Sequence, residues 1–417
     1  MVTTSAHYTD PRYRTTAGDG YDGVVRISVN NYYATGSLLY DGRAILTAGH
    51  LFDPMASSAT IRFETAQGVQ TYTSTQILRH PGYDQDSNND LAIVWLPTTA
   101  PISADRYALY RNHDEIGKAF VFAGYGRTGT GNLGASDTQN LSRLKAANQF
   151  DADATTLKNY MGSSITWTPN AGTQLIADFD NGNPYNDALG RLIARDGLGL
   201  GLNEGLIAQG DSGGPAFLDG ALAGVASYTA SLSKNSTRPD VDTVGNSSFG
   251  EIAAWQRVSA YQQWVDQNLR ANYPNAPTKP EEVITQVTEG NSGTSYAYFL
   301  LQFTGIRNDP NELLSVDYTT RDGTARASED YIAVRGTLNL YPSENKAVIP
   351  VEIIGDTQPE ADEHFYLDVF NPVGGSFGEG VVKLSAVRTI LDDDGWMGYQ
   401  SSTVCRLRAV FLCLFSF

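Results

Sequence analysis

From Val24 onward the chain runs in short apolar stretches separated by turn residues, and no long amphipathic helix interrupts them. VVRISV (Val24 to Val29), SLLY (Ser37 to Tyr40), AILTA (Ala44 to Ala48), LAIVWL (Leu91 to Leu96) and AFVFAG (Ala119 to Gly124) all have strand length. Asp41-Gly42 and Pro81-Gly82 mark turns between them. Strands joined by tight turns, without crossover helices, require an antiparallel barrel or sandwich rather than a parallel sheet. The 41 glycines supply the turns that such a fold consumes.

At 417 residues, two domains are expected rather than one. Residues 1 to 20 are polar and read as a flexible arm. The stretch from Arg127 to Gly205 is less regular and contains DFDNGNPYND (Asp178 to Asp187). Its spacing does not match an EF-hand loop, which needs Gly at the sixth position, so it reads as a surface turn cluster. Strands return at PAFL (Pro215 to Leu218) and LAGVASY (Leu222 to Tyr228). In SAYQQWVDQNL (Ser259 to Leu269), Tyr261, Trp264, Val265 and Leu269 fall near helical spacing, with Ser259 as N-cap. The segment 272–282, NYPNAPTKPEE, is proline-rich, stiff and extended, and reads as a linker. The first domain therefore spans 20–271 and the second 283–395. The tail, 396–417, could be a strand, an anchor or a shifted reading frame.

The formal net charge of −17 argues against nucleic acid or an anionic membrane as partner. The carboxylate excess serves solubility or divalent cations, which prefer oxygen ligands. The only cysteines, Cys405 and Cys413, lie in the tail, so no disulfide can staple the main body. The opening MVTTSAHYTDPRYR has no signal-like apolar core, and no run reaches the roughly 20 apolar residues of a membrane span.

QGDSGGPAF (Gln209 to Phe217) sets a serine in a glycine-rich turn. A nucleophilic Ser212 needs an exposed hydroxyl, and backbone N–H groups, here those of Gly210 and Ser212, to meet the developing oxyanion. LTAGHL ends an apolar strand at His50, whose side chain is suited to general-base work near neutral pH. NNDLAIVWL opens an apolar run with Asp90, a carboxylate that needs a hydrogen-bond partner once buried.

Together these three segments, in the order His50, Asp90, Ser212, resemble the trypsin and chymotrypsin family of serine proteases over roughly residues 20 to 270. The resemblance implies an all-β domain of two six-stranded antiparallel barrels, with a C-terminal helix and the triad in the cleft between barrels. AGYG (Ala123 to Gly126) resembles a strand end in which Tyr125 replaces the usual Trp. Ser227 and Thr229 would bind a peptide substrate through their main chain. Leu206 occupies the floor of the primary pocket, which implies a preference for apolar or aromatic residues at the cleavage site. Asp211 would pair with a newly cut amino terminus, and Arg14 offers one place for such a cut. Leu51 and Ala208 replace cysteines of the family, and Gly49 replaces an alanine; none of these removes a reacting group.

The segment SVDYTTRDGTARASEDYIAVRGTLNLYPSENKAVIPVEIIGD…PEADEHFYLDVF…RTILDDD resembles the Calx-beta module, an immunoglobulin-like β-sandwich of seven strands. The resemblance implies Ca2+ at one end, held by Glu289, Asp330, Asp356, Glu360, Glu363, Asp392, Asp393 and Asp394, with Gly355 where an additional Asp often stands. The module could equally bind a surface or a protein partner. No cofactor is implied for catalysis. The expected whole is a secreted or extracellular serine endopeptidase, exported without a recognisable N-terminal signal. One rival is an inactive protease fold used for binding or adhesion. The other is an α/β-hydrolase esterase, but after Ser212 the only histidine is His364, beyond the linker.

Overall fold

A computed structural model describes residues 2–53, 55–136, 142–307, 309–394 and 414–415. The tail 396–417 otherwise lies outside the described residues. Two compact units divide at Val265/Asp266, ahead of the proline-rich stretch and within the helix Val258–Ala271.

The first unit contains two antiparallel sheets of seven strands each, where six per barrel were expected. The first sheet orders its strands Gly68–Thr73, Thr60–Thr65, Val24–Val29, Tyr32–Leu38, Ala44–Thr47, Ala92–Trp95 and Gln76–Arg79. Alternation along Val24–Val29 sends Val25 and Ile27 into a core shared with Ile45, Phe63 and Val94. In the second sheet the order is Leu144–Gln149, Ala119–Gly124, Pro215–Leu218, Ala221–Ala230, Ile252–Arg257, Gln174–Asp178 and Ala152–Asp153. The short Ala152–Asp153 strand accounts for the seventh member here. Aromatic rings fill this core: Phe120 and Phe150 stack at 3.9 Å, and Trp255 meets both edge-on at 5.0 and 5.7 Å.

Three expectations need correction. The polar start is not a free arm: Val2–Thr4 pairs with Gly205–Ile207 and with Gly129–Thr130. Its threonines can be buried because Thr3 Oγ1 donates to Leu206 O and Thr4 Oγ1 to Gly129 O. A cut after Arg14 would therefore sever a strand that the fold uses. The stretch after Arg127 holds two helices, Ala154–Met161 and Ala188–Ile193, capped by the side chains of Asp153 and Asp187. Ser259 is not an N-cap, since the helix starts at Val258 and the Ser259 hydroxyl donates instead to Glu115 Oε1 at 2.6 Å.

Buried ion pairs supply cross-links where cysteines are lacking. Arg143 Nη2 reaches Asp22 Oδ1 at 2.7 Å, and Arg257 is paired with Glu115.

The second unit is a sandwich of seven strands between residues 286 and 391. Five form one sheet, in the order Gln286–Thr288, Lys383–Leu391, Glu363–Val373, Leu314–Asp322 and Arg335–Leu340. Thr294–Phe303 and Lys346–Ile354 pair in the other, where Leu414–Phe415 adds to the edge. Between the sheets lie Phe299, Val316, Leu338, Val351 and a stacked Tyr331–Phe365 pair at 4.5 Å.

Asp22→Ala would remove the carboxylate that lies within ion-pair distance of the buried Arg143 guanidinium. Urea denaturation is expected to show a loss of about 3–5 kcal/mol; a loss below about 1 kcal/mol would contradict this account of the pair.

Candidate active site

The strand Ala44–Thr47 runs into a 3-10 turn, Gly49–Leu51, that presents His50. Asp90 stands just ahead of the strand Ala92–Trp95, which pairs with Ala44–Thr47, so the two residues face each other across one hydrogen-bonded ladder. Asp90 is fully buried and grips His50 twice: Oδ1 accepts the His50 backbone N–H at 2.7 Å, and Oδ2 lies 2.8 Å from Nδ1. Gly49 is where it is because a Cβ would come within 2.9 Å of Leu91 O. On the far side of the ring, His50 Nε2 lies 3.0 Å from Ser212 Oγ.

Ser212 comes from the second barrel, on the turn before Pro215–Leu218. Gly210 and Gly213 take φ of +100° and +81°, the left-handed region that side chains disfavour. At Gly213 a Cβ would also strike Thr47 Oγ1 at 1.9 Å. Among the described residues no acceptor takes the N–H of Gly210 or of Ser212, so both remain open to a ligand.

Thr35, which the sequence reading did not single out, and the side chain of Ser227, expected to act only through its main chain, complete the arrangement. Ser227 Oγ donates to Asp90 Oδ2 at 2.5 Å, giving that oxygen a second donor beside the imidazole. Thr35, on the first barrel, donates from its N to Ser212 O at 3.0 Å and from Oγ1 to Gly210 O at 2.9 Å. Serine and threonine are too common for either to be singled out by type. The one available signal was that ASY follows an apolar strand in a protease-like context.

Ser227 sits at a bulge in the strand Ala221–Ala230, between Ala226 and Tyr228. The neighbouring strand Pro215–Leu218 pairs only with Ala221–Val225. The backbone from Ser227 through Thr229 is therefore an open strand edge on that side. Leu206 is placed differently from a pocket floor: it is fully buried in the aromatic core with Phe122 and Trp255 and offers no surface to a ligand. Pairing of Gly205–Ile207 with Val2–Thr4 draws it inward.

Asp211 is buried beneath this turn. Its Oδ1 accepts from Gly126 N at 2.8 Å and Oδ2 from Ala208 N at 2.9 Å. Gly124 is required here, because a Cβ would lie 2.2 Å from Asp211 Oδ1. Burial pushes this carboxyl up to about 6.

Asp178, Asp180 and Asp187, expected on a surface turn, are all buried, with one carboxylate oxygen of each within 4.8 Å of the others. Burial, then Glu204, Asp187 and Asp151, push Asp180 up to about 9. Burial likewise raises Asp178, Asp187 and Glu204, the last to about 7.

In the sandwich, the eight carboxylates divide. Glu289, Asp356 and Asp394 form one cluster, and Asp330, Glu360 and Glu363 another, each with ligand oxygens within 4.8 Å. Asp394 Oδ2 is buried without a hydrogen-bond partner. Asp393 accepts from Gly290 N at 3.0 Å rather than joining either cluster. Asp392 adds its charge to the field that raises both Glu289 and Glu360, after burial as the first cause. Burial foremost, then Asp330, lifts Glu363 to about 7. Gly355 cannot carry a ligand side chain, because a Cβ there would lie 2.4 Å from Gly290 O.

A family model described as Trypsin matches residues 13–193, a span that holds His50 and Asp90 and stops short of Ser212; a model described as Calx-beta domain matches residues 301–394. Serine protease 1 of Canis lupus familiaris is 23% identical over 256 residues, covering 59% of this chain and 85% of its own. The sodium/calcium exchanger Calx of Drosophila melanogaster is 40% identical over 91 residues, 21% of this chain and 9% of that protein. Sodium/calcium exchanger 2 of Homo sapiens is 38% identical over 108 residues, 23% of this chain and 12% of its own. The chain thus spans about a tenth of the length of these exchangers. Among solved structures, neuropsin, a serine protease expressed in the limbic system of mouse brain, aligns over 62% of this chain and 98% of its own, at 16% identity and a TM-score of 0.45.

With its pKa raised from 3.8 to about 6, Asp211 holds its proton longer in the folded than in the unfolded chain. Its contribution to stability is present below pH 3.8 and is lost as pH rises through about 6. Asp211→Asn cannot titrate. The unfolding free energy from urea denaturation should therefore fall less between pH 4 and pH 6.5 in that variant, by a difference of up to about 3 kcal/mol; equal falls would contradict the burial argument.

Proposed function

We propose that this chain, in which a trypsin-family domain is followed by a Calx-beta domain, is a serine endopeptidase whose appended sandwich binds calcium. The observation that carries the reading is the continuous run from Asp90 through His50 to Ser212, at 2.8 and 3.0 Å, facing two open backbone N–H groups. In this mechanism His50 Nε2 draws the proton from Ser212 Oγ as the oxygen attacks the scissile carbonyl. Asp90 fixes the imidazole with Nδ1 as donor and stabilises its charged form. The N–H groups of Gly210 and Ser212 take up the oxyanion. His50 then passes its proton to the leaving amine, and a water, activated by the same imidazole, releases the acyl group from Ser212.

The open edge Ser227–Thr229 suits an extended peptide that adds as a strand and presents its carbonyl to Ser212. An inactive adhesion protein would have no need for the doubly held Asp90 or for unoccupied donors beside Ser212.

The sandwich fits a hard cation. Two clusters of three carboxylates, one of them with a buried and unpartnered Asp394 oxygen, are of the chemistry that calcium takes. Glu289, Asp356 and Asp394 would hold one ion, and Asp330, Glu360 and Glu363 another. An extracellular setting accords with this reading, since sites of weak affinity fill there; secretion of the native protein by its own cells, followed by fractionation, tests it.

Ser212→Ala should lower kcat on a peptide library by about 10⁶-fold. Unchanged turnover would remove the proposed nucleophile. For the sandwich, Glu289→Gln with Asp356→Asn is expected to weaken calcium binding by about tenfold or more in calorimetry on the full chain; unaltered binding would exclude that cluster.

A further inference from the structure

A set of carboxylates in the protease unit lies outside the catalytic machinery. Asp178 ends the strand Gln174–Asp178, Asp180 follows two residues later, and Asp187 caps the helix Ala188–Ile193. All three are at least nine-tenths buried, and their ligand oxygens converge within 4.8 Å. Asp151 Oδ1 borders the same spot: a Cβ built on Gly197 would be 3.9 Å from both Asp151 Oδ1 and Asp180 Oδ2. Glu204 flanks it, its Oε1 accepting from Asp180 N at 2.7 Å.

The surrounding backbone satisfies two of the three. Asp178 Oδ2 accepts from Leu189 N at 2.6 Å, and Asp187 takes N–H groups from Gly190 and Gly197. Asp180 differs. It is 5% exposed, and among the described residues no donor reaches its carboxylate. No Lys or Arg among them comes within ion-pair distance of any of the five acids. An ionised carboxylate taken out of water without a hydrogen bond or counter-charge is costly, and several facing one another are more so.

We propose that Asp178, Asp180 and Asp187 bind a calcium-like divalent cation, with Asp151 and Glu204 at its margin. All-oxygen, carboxylate-rich surroundings select calcium or magnesium over zinc or copper. This ion would tie the strand end at Asp178 to the helix cap at Asp187. It would also steady the segment that leads through Glu204 into Gly205–Ile207, the strand beside Val2–Thr4, and then into the turn of Ser212. It is separate from any ion in the sandwich.

The test uses the full chain carrying Ser212→Ala, which prevents self-digestion and makes the result independent of catalysis. Glu289→Gln, Asp330→Asn, Asp356→Asn, Glu360→Gln, Glu363→Gln and Asp394→Asn silence the sandwich. Calorimetry with calcium, and separately with magnesium, should then show one remaining site, and calcium should raise the melting midpoint of the protease unit. Adding Asp180→Asn should weaken binding by about tenfold or more and abolish that rise. In chelator, Asp180→Asn should melt at or above the temperature of its parent, because the amide matches the carboxyl group in shape and places no charge beside the neighbouring acids; this separates loss of the site from misfolding. No heat at millimolar calcium or magnesium, or equal affinity with Asp180→Asn, would overturn the proposal. A lower midpoint for Asp180→Asn in chelator would overturn it too, since it would mean that the carboxylate already has a partner in the protein.

Discussion

Ser212 and His50 stand on different barrels, so everything at the site depends on how the turn 209–214 docks on the strand Tyr32–Leu38. Thr35 makes that contact. Its N–H donates to Ser212 O, its hydroxyl donates to Gly210 O, and that same hydroxyl accepts from Tyr125 N at 3.0 Å. Thr47 Oγ1 in turn donates to Thr35 O at 2.7 Å. Thr47 ends the strand that leads to His50, so the 3.0 Å gap between His50 and Ser212 is set by two adjacent strands and one turn. Gly213 has no space for a Cβ because the turn is pressed against these two threonines. Placement within half an ångström on rigid elements is what proton transfer between the two side chains demands.

The grouping of His50, Asp90 and Ser212 was legible in the sequence because the chemistry expected of them permits few substitutes: a general base near neutral pH, a partner for its second nitrogen and a serine between glycines. The residues that support it were not. Thr35 and Ser227 are of types found in every β protein, and only register and the bulge beside Ala226 show where they point. Leu206 illustrates the opposite hazard. Its position in the motif suggested a pocket floor, but pairing with the first strand draws it into the core. Polarity also misled at the start of the chain, where Thr3 and Thr4 are buried because backbone carbonyls accept their hydroxyls.

The acidic run from Asp178 to Asp187 was misjudged for a related reason. Composition placed it on the surface, but its alternation was the better guide. In Asp178-Phe179-Asp180 the two acids share one side of an extended chain, while Phe179 packs on Phe249 at 4.5 Å in the core. Helix Ala188–Ile193 then folds Asp187 over the acids. Some of the 46 carboxylates are thus concentrated inside the first unit and some at the end of the sandwich. In both places the carboxylates face one another with few basic neighbours, an arrangement suited to cations and not to solubility alone.

The central claim is that one hydroxyl in this chain is a nucleophile because one imidazole takes its proton. Brief exposure of the intact protein to a fluorophosphonate, followed by mass spectrometry of its peptides, tests it most directly. The account predicts a single adduct on Ser212 that disappears when His50 is replaced by Ala. No adduct, or one that forms elsewhere or persists without His50, would contradict it.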